Sequence, residues 1–271
     1  MPEPLVIRAS SLPGYADCPR RSAARLFRRE IEDAGYQLRT TANGIGAAIG
    51  TATHAGAHVA LHERIQRGEL APADVAEDAA ITDLRGRVAD GVEWDEVSPR
   101  PNTAERQVVR QLRMWRQMVA PQFVPAHVEV RLEADLAPGI VAAGQVDVAA
   151  GNTIRDLKTG RMQRANGAQY GMYSLLWQAH GHQIDNLLED YVPRAPISKL
   201  QPPAVTTAVD IADAEAAATT LAKRMVADLT AFRATGDPWS FVANPSSMLC
   251  GERWCPAANT KFCLSHIKSK A

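Results

Sequence analysis

The chain holds 271 residues, 46% hydrophobic and 22% charged, enough apolar material to bury a sizeable core and too much for a disordered tail protein. Thirty Lys and Arg balance thirty Asp and Glu, so no global field draws it to nucleic acid or to an acidic membrane. Four cysteines are too few for a disulfide scaffold, and the opening MPEPLVIRAS lacks an apolar signal core, so a cytoplasmic protein is expected.

In chain order, the pattern predicts a helix over 10–27, with the Ser-Ser pair as its cap. Residues 18–29 carry five arginines and no acid, and a neutral total can hide such a basic face. A Gly-rich loop over 43–50 leads into a helix over 51–67. The run 40–62 has no Asp, Glu, Lys or Arg, but its Gly, Thr, Asn and His content is too polar for a membrane span. A polar helix follows over 74–90, Pro99 and Pro101 close that section, and helix returns over 104–120. Residues 68–97 hold nine acids against Arg85 and Arg87, so this section should face away from DNA.

The period then changes to two. HVEVRLEADL, a turn at Ala-Pro-Gly, IVAAGQVDVAA, a Gly-Asn turn and TIRDLKTG read as a three-stranded antiparallel meander. A helix over 166–181, a strand over 185–192 and an Ala-rich helix over 210–234 complete the pattern. The tail from Pro238 carries three of the four cysteines.

In the meander, Asp156 and Lys158 share one strand face while Leu157 points into the core, and a strand pair can set Asp147 beside Asp156. Two converging carboxylates suit Mg or Mn, and a nearby ammonium can stabilise charge on an attacked phosphate. A lone D-x-K would more often be a strand end with a solvated lysine. Here it is accompanied by Gly50-Thr-Ala-Thr-His54 upstream and by Gln169 and Tyr173, one helical turn apart, downstream.

Taken in order, G-x-x-x-H, G-x-V-D, I-x-D-L-K-T-G and Q-x-x-x-Y resemble the RecB-type branch of the PD-(D/E)XK nuclease superfamily. The opening SSLPGYADCPRR resembles the first segment of its iron–sulfur members, which include the AddB nuclease domain and RecB-like exonucleases of CRISPR adaptation. The resemblance covers residues 9–29, 50–58, 127–178 and 248–266. It implies an α/β restriction-endonuclease-like core over 127–192, a mixed sheet flanked by helices, within one domain spanning 1–271. A helical insertion over 60–120 and an iron–sulfur-closed end region (9–29 with 238–271) complete that expectation. It implies His54, Asp147 and Asp156 as ligands of Mg or Mn, Lys158 as the catalytic lysine, and Gln169 and Tyr173 along the substrate groove. Glu129 occupies a strand where members often carry an acid.

Cys18, Cys250, Cys255 and Cys263 match the layout of the branch's 4Fe-4S members, one cysteine before the core and three after it. The spacing C-x4-C-x7-C is wider than the expected triplet, and structural zinc or unconnected buried thiols are the alternatives. Arg20 and Arg21, beside Cys18, are expected to contact substrate. Arg106, Arg110 and Arg113 form a helical stripe that fits a phosphate backbone or a solvated face equally well. His54, His58 and His62 share a helix face, but His62-Glu63 lacks the second histidine of H-E-x-x-H, so a zinc hydrolase is a minor alternative.

The expected function is therefore metal-dependent DNA hydrolysis, exonucleolytic on free or single-stranded ends. No phosphate-loop motif is present, so any motor would be a separate helicase; a recombinase or CRISPR-adaptation partner would fit equally. A non-catalytic DNA-end-binding module on the same fold is the rival reading.

Overall fold

The structure, a computed structural model, describes residues 5–137 and 139–263. Pro138 of the expected turn and residues 264–271 of the expected end region lie outside the described residues. Strand β1 (Leu5–Arg8) passes through a 3-10 turn (Ala9–Ser11) into α1 (Leu12–Asp17), α2 (Pro19–Leu26) and α3 (Arg28–Asp33). Then come β2 (Asn43–Gly44), α4 (Ile45–Arg67), α5 (Ala73–Ala89), β3 (Val92–Glu93) and α6 (Pro101–Met118). Next come β4 (His127–Ala137), β5 (Ile140–Ala150), β6 (Thr153–Gly160) and α7 (Gly167–Ala179). The chain continues through β7 (Asn186–Pro193), β8 (Val205–Val209) and α8 (Ile211–Thr235).

Two departures from the sequence pattern have local causes. The expected first helix is broken at Cys18, which is extended (φ −154°, ψ 97°). Pro19 disfavours a helical residue before it but sits comfortably as the first residue of α2. Helix α4 starts six residues ahead of expectation, inside the Gly-rich stretch. There Ile45, Ile49 and Ala52 are fully buried, and burying that face outweighs about 1 kcal/mol for each helical glycine.

The sheet is mixed. Its order is β1-β5-β6-β7-β8, with β4 paired to β5. The expected meander is present: β4 and β5 are antiparallel, as are β5 and β6, while β7 joins β6 in parallel. One apolar core lies under α1–α3, α7 and α8, built around Leu12, Tyr15, Phe232 and Phe241. The other lies under α4–α6, against Val148, Leu157 and Val192 of the sheet. Helices α7 and α8 cross so closely that a Cβ on Gly171 would stand 1.9 Å from the Ala214 carbonyl oxygen. Among the described residues, no helix is long and apolar enough to cross a membrane.

One feature of the sheet prepares the site. Strands β5 and β6 pair only where residues 148–150 face 153–155. Beyond that point β6 runs on beside β7, and the two strands fork.

Behind the sheet, buried Arg194 is held by Asp95 through two contacts of 3.2 and 2.5 Å. Burial would raise the Asp95 carboxyl, but Arg194 and the Ser98 and Val97 N–H groups outweigh it and hold the pKa below its ordinary value. A depressed carboxylate stabilises the fold above its unfolded pKa, about 3.9, and that contribution is lost as pH falls through the folded value. Asp95→Asn should therefore lose about 1.5–3 kcal/mol at pH 7. Urea midpoints across pH 7 to 3 should show the wild type converging on the variant in acid; parallel curves would contradict this.

Candidate active site

The fork brings the sequence-predicted residues together. Asp147, on β5 just before the strands diverge, accepts a hydrogen bond from the Leu157 N–H of β6 at 2.9 Å. The same Oδ2 lies 3.3 Å from His54 Nδ1. His54 reaches it from α4, which approaches β6 closely at Gly50: a Cβ there would stand 2.7 Å from Thr159 Oγ1. That contact joins the glycine of G-x-x-x-H to the threonine of D-L-K-T-G, so the two motifs form one steric unit.

Asp156 and Lys158 share a face as expected, with Lys158 Nζ 2.6 Å from Asp156 Oδ2. Leu157 between them points into the core beneath α4. Asp156 is 1% exposed, and neither of its oxygens accepts a well-directed hydrogen bond; the lysine is close but off line. Such an orphaned buried carboxylate is costly unless another cation satisfies it.

The electrostatics divide the two acids. Burial first, and the Asp147 charge second, push the Asp156 pKa up to about 7 against the pull of Lys158. Burial would raise Asp147 too, but His54, Lys158 and the Leu157 N–H hold it below its ordinary value. Burial opposes charge on His54 and Lys158, yet the aspartates outweigh it and raise both. The aspartates thus favour a proton on the His54 imidazole, a position that a metal ion can take instead. Two carboxylates and an imidazole with unsatisfied oxygens fit a hard divalent ion. Among the described residues, no three His, Cys, Asp or Glu side chains are already set at metal-ligand spacing.

Gln169 and Tyr173 lie where α7 flanks the fork, and Gln169 donates to the Tyr173 hydroxyl oxygen at 2.6 Å. Two residues that sequence reasoning missed stand behind Lys158. Tyr170 places its ring 5.6 Å from Nζ and donates its hydroxyl to Glu189. Glu189, buried on β7 beside Asp156 in the register, also receives Gln163 at 2.7 Å and Asn166 at 3.2 Å. The signal was the Glu-Asp pair inside the apolar strand NLLEDYV, since buried acids demand partners.

The remaining expected residues are placed differently. Arg20 is 2% exposed, donates to the Phe241 carbonyl at 2.9 Å and stacks 4.3 Å from the Trp239 ring. Arg21 is buried against Asp17 at 2.6 Å and Ser247 at 2.9 Å. Both fasten the tail to α2, which corrects the expected substrate contact. Arg110 is bound to backbone carbonyls of Pro196 and Lys199, and Arg113 to Glu77, which favours the structural reading of that stripe. His58 lies 3.2 Å from Glu129 Oε2 and stacks on His62. Glu129 is one of two non-glycine residues with positive φ (52°) among those described, directly across β5 from Asp147 by register.

The four cysteines are all free. Cys18 occupies the break between α1 and α2 and accepts the Asn244 N–H at 3.4 Å. Burial first, then the other sulfurs, raise the thiol pKa of Cys255 to about 11, and Cys250 is raised for the same reasons. Cys18 and Cys263 act on both electrostatically, but no three of the four sulfurs are set at metal-ligand spacing among the described residues. Four thiols are the donor type of a thiolate-bound metal group.

The family model of the PD-(D/E)XK nuclease superfamily matches residues 8–260. A comparison with curated proteins gives no match. Among solved structures, the chain is similar to one named "Putative exonuclease" from Eubacterium rectale, with a TM-score of 0.54 and 11% identity over 82% of this chain and 80% of that one. LHK-Exo in complex with dAMP shows a weaker likeness, with a TM-score of 0.30 and 12% identity over 67% of this chain and 96% of that one. At these identities the first likeness speaks for the fold alone, and the second carries no argument. The fold, the forked strands and the match over nearly the whole sequence agree: the chain belongs to the PD-(D/E)XK nuclease superfamily.

Proposed function

We propose that the chain hydrolyses DNA phosphodiesters, acting as an exonuclease on free or single-stranded ends with Mg or Mn held by Asp147, Asp156 and His54. The observation that carries this reading is the meeting of those three side chains with Lys158 at the fork, where Asp156 is buried without a directed donor. When bound, the divalent ion supplies a Lewis acid for the phosphate and lowers the pKa of a water.

The chain's own residues do the rest. Asp147, fixed by the Leu157 N–H, binds from one side of the fork. Asp156 binds from the other and must be deprotonated to do so, which ties metal binding to pH. Lys158 keeps its charge beside Asp156 and offers Nζ to the phosphate oxygens as negative charge builds up. Tyr170 and Glu189 keep the back wall rigid, so that Nζ has little freedom to leave. Gln169 and Tyr173 border the strand's path.

We propose further that Cys18, Cys250, Cys255 and Cys263 hold a 4Fe-4S cluster that fastens the chain ends, as in the RecB-like iron–sulfur branch. A helicase, recombinase or CRISPR-adaptation protein in the cytoplasm would supply the ends.

Linear and covalently closed DNA, incubated with the full chain and Mg or Mn, should test the activity. Linear DNA should shorten from its ends while circles persist, and Asp147→Asn or Asp156→Asn should abolish the loss. Nicking of circles at the same rate would make the protein an endonuclease; no cleavage of either would end the proposal. Anaerobic preparations should be brown and contain iron and sulfide, and Cys18→Ser should remove both. Zinc without iron would keep the four-sulfur architecture and replace the cluster.

A further inference from the structure

A groove of about 300 Å³ opens at the mouth of the fork, lined by Arg8, Ser10, Arg131, Gly144, Gln145 and Tyr173. That volume lies at the lower end of small-ligand sites. Its position follows from the sheet. Arg8 ends β1 opposite Ala143, and Arg131 of β4 faces Gln145 across the other edge of β5. Residues 144–147 thus lie after β1 has ended and before β6 pairs, leaving one edge of β5 without a strand neighbour.

The charges there are unspent. Arg8 has no ion-pair partner among the described residues, and Arg131 touches only exposed Glu133, loosely, at 3.7 Å. By contrast Arg20, Arg21, Arg110, Arg113 and Arg194 are tied to acids or carbonyls. Two guanidinium groups flanking a groove, with a hydroxyl and an amide between them, suit a tetrahedral dianion or monoanion. The groove also adjoins the catalytic carboxylates. Gln145 precedes Asp147 by two residues, about 6–7 Å along a strand, and the Tyr173 hydroxyl feels both Asp156 and Asp147.

We propose that this groove seats a phosphate of the strand being cut, next to the scissile one, with Arg8 and Arg131 as its charge pair and Ser10 and Gln145 as neutral donors. The inference rests on the nuclease reading above and adds where the strand enters. The phosphate could be internal or a terminal one, and the groove's chemistry is the same for both.

The test is binding, so that it can fail independently of cleavage. Full-length Lys158→Met protein, with no divalent ion added, is titrated against fluorescein-labelled single-stranded oligonucleotides bearing 5′-phosphate, 3′-phosphate or hydroxyl ends, at several KCl concentrations. Adding Arg8→Ala with Arg131→Ala should raise Kd at least about tenfold and flatten the log Kd–log salt slope by about 1.4, the value for two contacts on a single strand. Arg8→Lys with Arg131→Lys should restore the slope, while Arg106→Ala, on the exposed face of α6, should leave it unchanged. Equal weakening with all three oligonucleotides identifies an internal phosphate, and weakening confined to one phosphorylated end identifies a terminal one. Unchanged Kd and slope in the double alanine variant would overturn the proposal, and Arg→Gln replacements repeat the measurement should the alanine protein melt early. Should the wild type cleave nothing while the slope still falls, the nuclease reading fails and the phosphate seat stands.

Discussion

Lys158→Met is expected to lower cleavage by about 10²–10³-fold, the scale of one lost preorganised electrostatic donor. The ammonium is held 2.6 Å from Asp156 and over the Tyr170 ring, so its position is set before substrate arrives. Methionine keeps most of the stem volume and removes the charge. The fold should survive. Even with the lysine present, the Asp156 pKa is pushed up to about 7, so without it the carboxyl takes a proton at neutral pH and no bare charge is buried. Single-turnover rates with thermal melts of both proteins provide the check. A variant that melts like the wild type but cleaves at its rate would remove Lys158 from the chemistry.

The largest expected effect on stability lies beside Asp156 and Lys158, at the pair formed by Arg155 and Asp190. Arg155 and Asp190, 6% and 3% exposed at their side chains, form a two-pronged pair across β6 and β7 at 2.8 and 2.7 Å. Thr206 donates to the same Asp190 carboxylate, and the Arg155 guanidinium lies 4.8 Å from the Phe123 ring. Asp190→Ala would leave that guanidinium buried with its main counter-charge gone, a loss of about 3–5 kcal/mol. Replacing both, Arg155→Met with Asp190→Leu, should cost far less, because no charge then needs a partner. Urea denaturation of the single and double variants decides this. Equal losses in the two would show that shape, not charge, dominates the site.

The meeting of Asp147, Asp156 and Lys158 was legible because its parts are local. Period-two alternation marks β4–β6, and D-x-K spacing fixes which side chains share a face. What escaped depended on distant partners. Strand β1 has only four residues and gains its status from β5, far along the chain. Strand β8 is an exposed edge, so its apolar signal is weak. The Gly-rich start of α4 reads as a loop until Ile45 and Ile49 are seen buried beneath the neighbouring helices. Arg20 and Arg21 misled because charge density in a sequence carries no information about burial; their partners Phe241 and Ser247 stand more than two hundred residues away. The break at Cys18 was missed as well, although the proline after it is a local signal for one.

That long-range fastening has a consequence for how the protein is made. Arg20 meets the Phe241 carbonyl 221 positions later, and Asp17 meets Ser247 after 230. A ribosome adding about 5–20 residues per second finishes that interval in roughly 10–45 s. Until then α2 lacks its contacts with Phe241 and Ser247, and the Phe27 face that stacks on Phe241 is uncovered. The sheet and α4–α6 can assemble earlier, since their pairings are complete once Val209 of β8 has been added. Folding should therefore finish at α2, the element whose partners are synthesised last, and a nascent-chain holdase would find its client there.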